Sequence, residues 1–121
     1  MSKNDAKSVA AGCLTAWTSG DFGATRALLH DDLRFAGALG SQNGADAYIE
    51  GLKAFARMIK SAPQHRIIAE GEDVCIHYDL ITATGAVIPA VGWYQVRGGR
   101  ISSVQAFFDP RPLLPLLERR A

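Results

Sequence analysis

The chain has 121 residues, of which 48% are hydrophobic, and its 13 basic and 12 acidic side chains leave a formal net charge of +1. This length and hydrophobic content suit one core, so we expect a single domain over residues 1–121. The balanced charge, without a stripe of Lys and Arg, argues against nucleic acid or a membrane surface as a partner. No apolar run is long enough for a signal peptide or a membrane span, which favours a cytoplasmic protein.

The cysteines and acidic side chains give no pattern that is typical of a metal site. Cys13 and Cys75 lie far apart without a CxxC or Cys/His spacing, and we expect both to be buried thiols. His30, Asp31 and Asp32 lack partners at metal-ligand spacing, and we interpret them as a helix end followed by a cap or a surface pair. The sequence therefore predicts neither a metal nor a cofactor.

Two helices are predicted near the start of the chain. Apolar residues within 6–17 recur at the three-and-four spacing of one helical face, and the Ser19-Gly20 pair ends that pattern. Asp21 is a good N-cap for a short second helix, whose Leu28 and Leu29 face inward. The acidic pair at 31–32 is expected to end this second helix.

A third helix is predicted after a short strand and a turn-rich segment. Residues 33–36 form the strand candidate, and the glycines of 37–44 suit turns whose path the sequence does not fix. From Asp46 to Ile59 the apolar residues again fit one helical face, and Pro63 stops the pattern.

The second half of the chain changes to the period of two that is typical of strands. The four predicted strands cover residues 65–70, 74–82, 87–97 and 101–108. Short glycine-containing turns separate them, which predicts an antiparallel meander. A short leucine-rich tail at 113–117 is expected to lie across one end of the sheet.

This order of elements predicts an α+β fold: a curved antiparallel sheet with three helices from the N-terminal half packed on its concave face around an internal pocket. Along 74–81, neither alternating set of side chains has the charged character of a solvated strand. We therefore expect both faces of the sheet to be packed against other parts of the structure. We expect helices on one face and a second copy of the chain on the outer face, which gives a homodimer.

Five short motifs resemble those of the nuclear transport factor 2-like superfamily, which includes ketosteroid isomerase, limonene epoxide hydrolase and the SnoaL-like polyketide cyclases. They are WTSGD at 17–21, LLHDD at 28–32, GADA at 44–47, GRI at 99–101 and AFFD at 106–109. The resemblance spans nearly the whole chain. It implies a cone-shaped fold with a deep pocket between helices and sheet, and a dimer formed through the outer sheet face.

The resemblance also indicates which chemistry to expect. The tyrosine and the two aspartates of the isomerase pattern match Cys13, Gly37 and Gly92, so isomerase chemistry is not expected. The limonene epoxide hydrolase site matches His77, Asp79, Ala106, Phe35 and Gly37, of which only Asp79 retains a carboxylate. In SnoaL-like cyclases His and Asp residues do the acid–base work, and this class remains compatible with the sequence.

His77 and Asp79 form the sharpest catalytic hypothesis. They lie two apart on one predicted strand, so their side chains share a face and both could contact one bound molecule. The alternative is that they hydrogen-bond to each other or to nearby backbone. Asp109 precedes Pro110 and is interpreted as a turn cap, and His65 is expected to be exposed.

The pocket is expected to be apolar. The predicted substrate-binding residues are Trp17, Phe35, Phe55, Ile59, Ile81, Ile88, Ala106, Phe108 and Leu113. Two functions stay open. One is a small cofactor-independent SnoaL-like enzyme in which His77 and Asp79 transfer a proton to or from a small lipophilic substrate. The other is a non-catalytic module of the same fold for ligand binding or dimerisation.

Overall fold

The computed structural model describes residues 5–119, with side chains described as far as Leu117. Within this range the elements are α1 (Ala6–Thr18), α2 (Phe22–Ala27), β1 (Leu29–Gly37), β2 (Gly40–Asn43), α3 (Ala45–Ala56), β3 (Ile59–Ser61), β4 (Gln64–Glu70), β5 (Asp73–Thr82), β6 (Val87–Arg97), β7 (Arg100–Phe108), a 3-10 turn (Arg111–Leu113) and α4 (Leu114–Arg119). None of the helices in this range is long and apolar enough to cross a bilayer.

The strands form one curled sheet in the order β2-β1-β7-β6-β5-β3, and β4 pairs with the first half of β5 beside β3. Every pair is antiparallel except β1 with β7, which run parallel because the chain leaves the sheet after β2 and returns at its other edge. The predicted α+β class, with a curved sheet and helices in the N-terminal half, is confirmed.

Strands β5 and β6 alternate strictly between a buried and an open face. In β6 every second residue is buried along the whole strand, and β5 follows the same rule. The inward residues of β5 and β6 are Val74, Ile76, Tyr78, Leu80, Thr82, Ile88, Ala90, Gly92, Tyr94 and Val96. Helix α1 packs on this inner face through its own buried side chains, Val9, Ala10, Cys13, Leu14 and Trp17. The core therefore lies inside the curve of the sheet.

Helix α2 begins where predicted but ends earlier. The Asp21 side chain accepts a hydrogen bond from the Ala24 amide at 3.0 Å, as an N-cap does. The helix stops at Ala27 because Ile101 donates its amide to the Leu28 carbonyl at 2.8 Å, which starts the pairing of β1 with β7. The expectation that the Asp31-Asp32 pair ends this helix is wrong, since both residues belong to β1.

Two short edge strands were not predicted. Residues 40–43 form β2, a hairpin partner of β1 in the segment read as turns. Ile59, expected on the third helix, instead begins β3 and pairs with Thr82. The Ala83 amide donates to the Met58 carbonyl at 2.8 Å. The backbone directly after α3 is thus hydrogen-bonded to the edge of the sheet.

The alternation predicts opposite effects for two isoleucines on neighbouring strands. Ile76 is fully buried on the inner face, whereas Ile68 is 61% exposed on the outer face. We expect Ile76→Ala to lower the free energy of unfolding by about 2–5 kcal/mol. The matched change Ile68→Ala leaves no cavity inside the chain and should lower the free energy of unfolding by less than half as much. Urea denaturation measures both, and equal losses would contradict the assignment of faces.

Candidate functional site

An internal cavity of about 230 Å³ lies between the inner sheet face, the helices α1, α3 and α4, and the β1–β2 hairpin. Its wall consists of Trp17, Phe35, Ala38, Leu39, Gly40, Gln42, Tyr48, Gly51, Leu52, Ala54, Phe55, Met58, Tyr78, Tyr94, Val104, Ala106, Phe108 and Leu117. An apolar cavity of roughly 150 Å³ holds benzene. This cavity therefore has room for a molecule larger than one ring.

Aromatic rings from four elements line much of the cavity wall. The ring of Phe55 on α3 lies 5.8 Å from Trp17 on α1 and 5.9 Å from Phe108 on β7, measured between centroids. Phe35 on β1 lies 4.9 Å from Tyr48 on α3. The rings are tilted relative to one another, which is a favourable geometry for aromatic pairs. These rings make the cavity wall largely apolar.

The cavity wall also carries phenol hydroxyls. The chain has three tyrosines, and all three line the cavity: Tyr48 from α3, Tyr78 from β5 and Tyr94 from β6. Each side chain is at most 4% exposed. None of the hydroxyls is hydrogen-bonded to another described residue, and no fully enclosed side-chain nitrogen or oxygen in the described part of the chain lacks a partner. The hydroxyls therefore open onto the cavity.

Burial keeps these phenols protonated. It raises the pKa of Tyr78 to about 12 and raises the pKa values of Tyr48 and Tyr94 well above their ordinary value. Burial also raises the pKa of the Cys13 thiol to about 12, so this thiol is a poor nucleophile at neutral pH. In the physiological pH range the tyrosines act as neutral hydrogen-bond donors.

Two glycines make room for rings that lie flat over the sheet. A Cβ atom at Gly92 would lie 2.8 Å from Cε1 and 3.1 Å from the hydroxyl oxygen of Tyr94. A Cβ atom at Gly37 would lie 2.5 Å from Cζ of Phe35. These glycines match the two aspartates of the isomerase pattern. Here the Tyr94 and Phe35 rings fill the space above them.

The cavity wall contains no Asp, Glu, His, Lys or Arg among the residues that the structure describes. Besides the tyrosines, the polar side chain in the wall is Gln42, whose amide lies against Gly51 on α3. A Cβ atom at Gly51 would approach Nε2 of Gln42 to 2.6 Å. The site offers hydrogen-bond donors and an amide, but it has no carboxylate or imidazole to act as a general base.

The expectation that His77 and Asp79 project into the pocket is wrong. His77 is exposed and Asp79 is half-buried, and both lie on the outer face of β5, opposite to Tyr78. Sequence spacing placed the two side chains together but assigned them to the wrong face. The helices cover the face that carries Val74 and Ile76, because these residues continue the apolar core.

A β-bulge in β4 gives Asp79 a partner on the outer face. Gln64 pairs with Tyr78 and Arg66 pairs with His77, so His65 is an extra residue in the ladder. His65 Nε2 lies 2.8 Å from Asp79 Oδ2, and its ring centroid lies 5.2 Å from that of His77. The outer face therefore carries a cluster of two histidines and one carboxylate, and His65 is exposed as expected.

The structure places five of the nine predicted substrate-binding residues in the cavity wall: Trp17, Phe35, Phe55, Ala106 and Phe108. The other four lie elsewhere. Ile59 packs at the sheet edge in β3, and Ile81 shares the outer face with Asp79. Ile88 and Leu113 are buried in the core away from the cavity. Residues of the cavity wall and residues of the core are both apolar. Apolar character alone therefore did not distinguish one from the other.

The remaining polar candidates have structural partners. The Asp109 carboxylate accepts hydrogen bonds from the Arg111 side chain and amide, which lower the pKa of that carboxyl. Arg26 bridges Asp31 at 2.7 Å and Asp46 at 2.9 Å. In residues 5–117, no group of three His, Cys, Asp or Glu side chains is placed to hold a metal ion. Cys75, expected to be buried, is half-exposed.

The wall residues that sequence reasoning missed are chiefly Gln42 and the three tyrosines. A signal for two of them was present, since Tyr78 and Tyr94 each lie in step with the most apolar alternating set of their strand. The face of a strand that is covered by helices carries its most apolar alternating set of side chains. No such signal existed for Gln42, which reaches the cavity through an unpredicted strand.

The tyrosines predict a loss of stability at high pH. Their folded pKa values exceed the unfolded value of about 10, so the unfolded chain releases these protons first. The stabilisation is complete below pH 10 and should fall between pH 10 and 12 by roughly 1.4 kcal/mol per pH unit for each tyrosine. Urea unfolding at several pH values should show a shallower fall for Tyr78→Phe. Phenolate absorbance of the folded protein rising around pH 10 would contradict the burial.

Comparison with known proteins gives a consistent picture of the fold. The model of the SnoaL-like domain matches residues 10–104, more than half of the chain. A nuclear transport factor 2-like protein of unknown function from Cytophaga hutchinsonii is 29% identical, with a TM-score of 0.78 over 89% of this chain and 93% of that one. No curated protein matches the chain.

Two more distant structures share the fold. An epoxide hydrolase of Mycobacterium tuberculosis, similar to limonene epoxide hydrolase, is 24% identical, with a TM-score of 0.76 over 94% of this chain and 90% of that one. A putative ketosteroid isomerase from Kribbella flavida is 17% identical, with a TM-score of 0.78 over 86% and 77%. The match to the domain model and the curled sheet around its cavity show that this chain belongs to the SnoaL-like domain family of the nuclear transport factor 2-like superfamily.

Proposed function

We propose that this protein binds a small, uncharged, largely apolar molecule in the internal cavity. The observation that carries the proposal is a partly open cavity of about 230 Å³ whose described wall is apolar and aromatic and has no ionisable group other than the tyrosines. Sites for small molecules are mostly apolar with a few well-placed polar groups. A charged ligand would lose its hydration there without gaining an ionic partner.

The catalytic alternative needs a base that the described wall does not supply. Proton abstraction from carbon requires a base within hydrogen-bonding reach of the substrate. The Asp79 carboxylate and the His77 imidazole lie on the other side of β5. Many proteins of this fold are enzymes, but fold alone does not carry an activity. Binding is the function that the geometry of this chain supports best.

Filling the cavity should abolish binding of a neutral apolar dye. We expect Ala106→Phe, in the cavity wall, to weaken binding of N-phenyl-1-naphthylamine at least tenfold, measured by its fluorescence. Ala69→Phe, at an exposed site on β4, is the matched control and should bind as the wild type does.

A second cavity variant controls for loss of binding that is caused by misfolding. Ala54→Phe replaces an exposed residue at the edge of the cavity, where the added ring need not disturb the core. It should also weaken dye binding while circular dichroism and the melting temperature stay close to those of the wild type. Unchanged dye binding in both cavity variants would refute the proposal.

We propose further that a second copy of the chain covers the outer sheet face. Five large apolar side chains are exposed there: Ile68, Val87, Val91, Trp93 and Phe107. Val91 pairs with both His77 and Phe107, so the apolar residues adjoin the histidine cluster on neighbouring strands. A contiguous apolar face of this kind is typical of an interface, and a twofold axis lets one surface serve both copies.

Sedimentation equilibrium tests this assembly. We expect a dimer at micromolar concentration and a monomer for Val91→Lys, because the interface would then bury an ammonium group from each copy. Leu114→Lys, an equally exposed apolar site on α4, should remain dimeric. A wild-type monomer would count against the interface.

A further inference from the structure

We propose that the outer sheet face is a pH-sensitive interface, in which protonation of His65 and His77 in mildly acidic solution separates the two copies of the chain. This inference rests on the proposed assembly through the outer face and adds to it the condition under which the assembly forms. It also names the residues that set this condition.

The first step is the position of His77 among the apolar side chains of the outer face. His77 is exposed and pairs with Val91 on β6, which in turn pairs with Phe107 on β7. One row further along β5, the outward residues on either side are Ile68 and Trp93. A second copy that covers this apolar face would therefore also remove water from the imidazole of His77.

The second step is the charge around the two imidazoles. Arg66 pairs with His77 across the β4–β5 ladder, so the two side chains share the outer face as close neighbours. The ring centroids of His65 and His77 lie 5.2 Å apart, and the Asp79 carboxylate is hydrogen-bonded to His65 at 2.8 Å. With neutral imidazoles the charges of Arg66 and Asp79 cancel. Protonation of both imidazoles gives these four side chains a formal charge of +2.

Other charged groups on neighbouring strands lie farther away or are cations. The carboxylates of Asp73 and Glu70 lie two rows beyond His77, about 14 Å along the strand, and the Cys75 thiol lies between. Strand β3, which pairs with the far end of β5, carries Lys60. Helix α1 contacts β4 through the inward-facing Gln64. The residues of β6 and β7 opposite the cluster are uncharged: Pro89, Val91 and Phe107.

The third step is the direction of the effect. Burial of a charged group without a partner is unfavourable, so these imidazoles take up protons less readily in the dimer than in the separate chains. Dissociation is therefore coupled to proton uptake, and acid favours the separate chains. An imidazole ordinarily gains its second proton near pH 6.5. The assembly should be stable above this pH and weaken below it.

Sedimentation equilibrium at two pH values tests the inference. We expect the dissociation constant of the wild-type dimer to rise about 10- to 100-fold from pH 8 to pH 5.5, the upper figure corresponding to proton uptake by one imidazole in each copy. Return to pH 8 should restore the dimer, and circular dichroism should show a folded chain at both pH values. A rise of less than about threefold would overturn the inference.

Glutamine variants assign the response to residues. The double variant His65→Gln/His77→Gln should have the same dissociation constant at both pH values. His77→Gln alone should remove more of the response than His65→Gln, because the Asp79 carboxylate offsets the charge of His65. His30→Gln is the matched control and should keep the full response, since His30 contacts the Arg97 carbonyl at the far end of β6. A double variant that still dissociates in acid would refute the assignment.

Arg66→Glu should reverse the direction of the response. Two carboxylates then give the cluster a formal charge of −2 with neutral imidazoles and no net charge when both are protonated, so the dimer should become tighter in acid. An unchanged direction would contradict the electrostatic explanation. The outcomes also separate the two proposals. A wild-type monomer at pH 8 refutes the assembly and the response together, whereas a dimer that is equally stable at both pH values refutes the response alone.

Discussion

The two-residue alternation of β5 and β6 is the constraint on which the rest of the structure depends. Each strand has one side toward the helices and one side toward the outside, and hydrogen bonding with its neighbours fixes which residues share a side. A shift of one residue would move the tyrosines outside and His77 inside. The apolar residues in step with Tyr78 and Tyr94 prevent that shift, because their exposure would remove most of the core.

Curvature converts this alternating surface into a container. The sheet curls around α1 and α3, and α4 with the β1–β2 hairpin completes the wall, so the inner face encloses space that the core side chains do not fill. The glycines at 37 and 92 matter here because they let neighbouring rings fold down onto the strands. The floor of the cavity is aromatic and carries phenol groups as a result.

The chemical character of the cavity follows from which side chains reach it, not from the fold. Relatives with the same architecture include an epoxide hydrolase and a putative ketosteroid isomerase, although their identity to this chain is below 25%. In this chain phenol donors are present and a base is absent from the described wall. A site of this kind can orient and hold a ligand, whereas proton transfer to carbon would need a further group.

The outer face of the sheet carries both apolar and polar side chains. Its apolar residues would favour contact with another surface, while His65, His77 and Asp79 keep polar groups within the same patch. The hydrogen bond between His65 and Asp79 is partly exposed, so its own contribution to stability is small. At an interface both groups would lose water together, and this desolvation penalty would oppose their mutual attraction.

Much of the fold was readable from the sequence. The helical and two-residue periods, the Asp21 cap and the glycine turns are local signals, and they located α1, α2, α3 and the long strands to within a few residues. The short strands β2 and β3 were not readable, because they form only where an existing sheet edge offers hydrogen bonds. For the same reason Ile59 lies in β3, although its spacing fits the pattern of the preceding helix.

The candidate site divides in the same way. Sequence alone determined that His77 and Asp79 share one face and that Trp17, Phe35, Phe55, Ala106 and Phe108 are suited to a pocket wall. Tertiary structure decided which face of β5 turns inward, because that choice depends on the total apolar area that the helices can cover. It also paired His65 with Asp79 through a bulge and brought Tyr48, Tyr78 and Tyr94 together from three separate elements. Such contacts join residues far apart in the chain, and no local pattern encodes them.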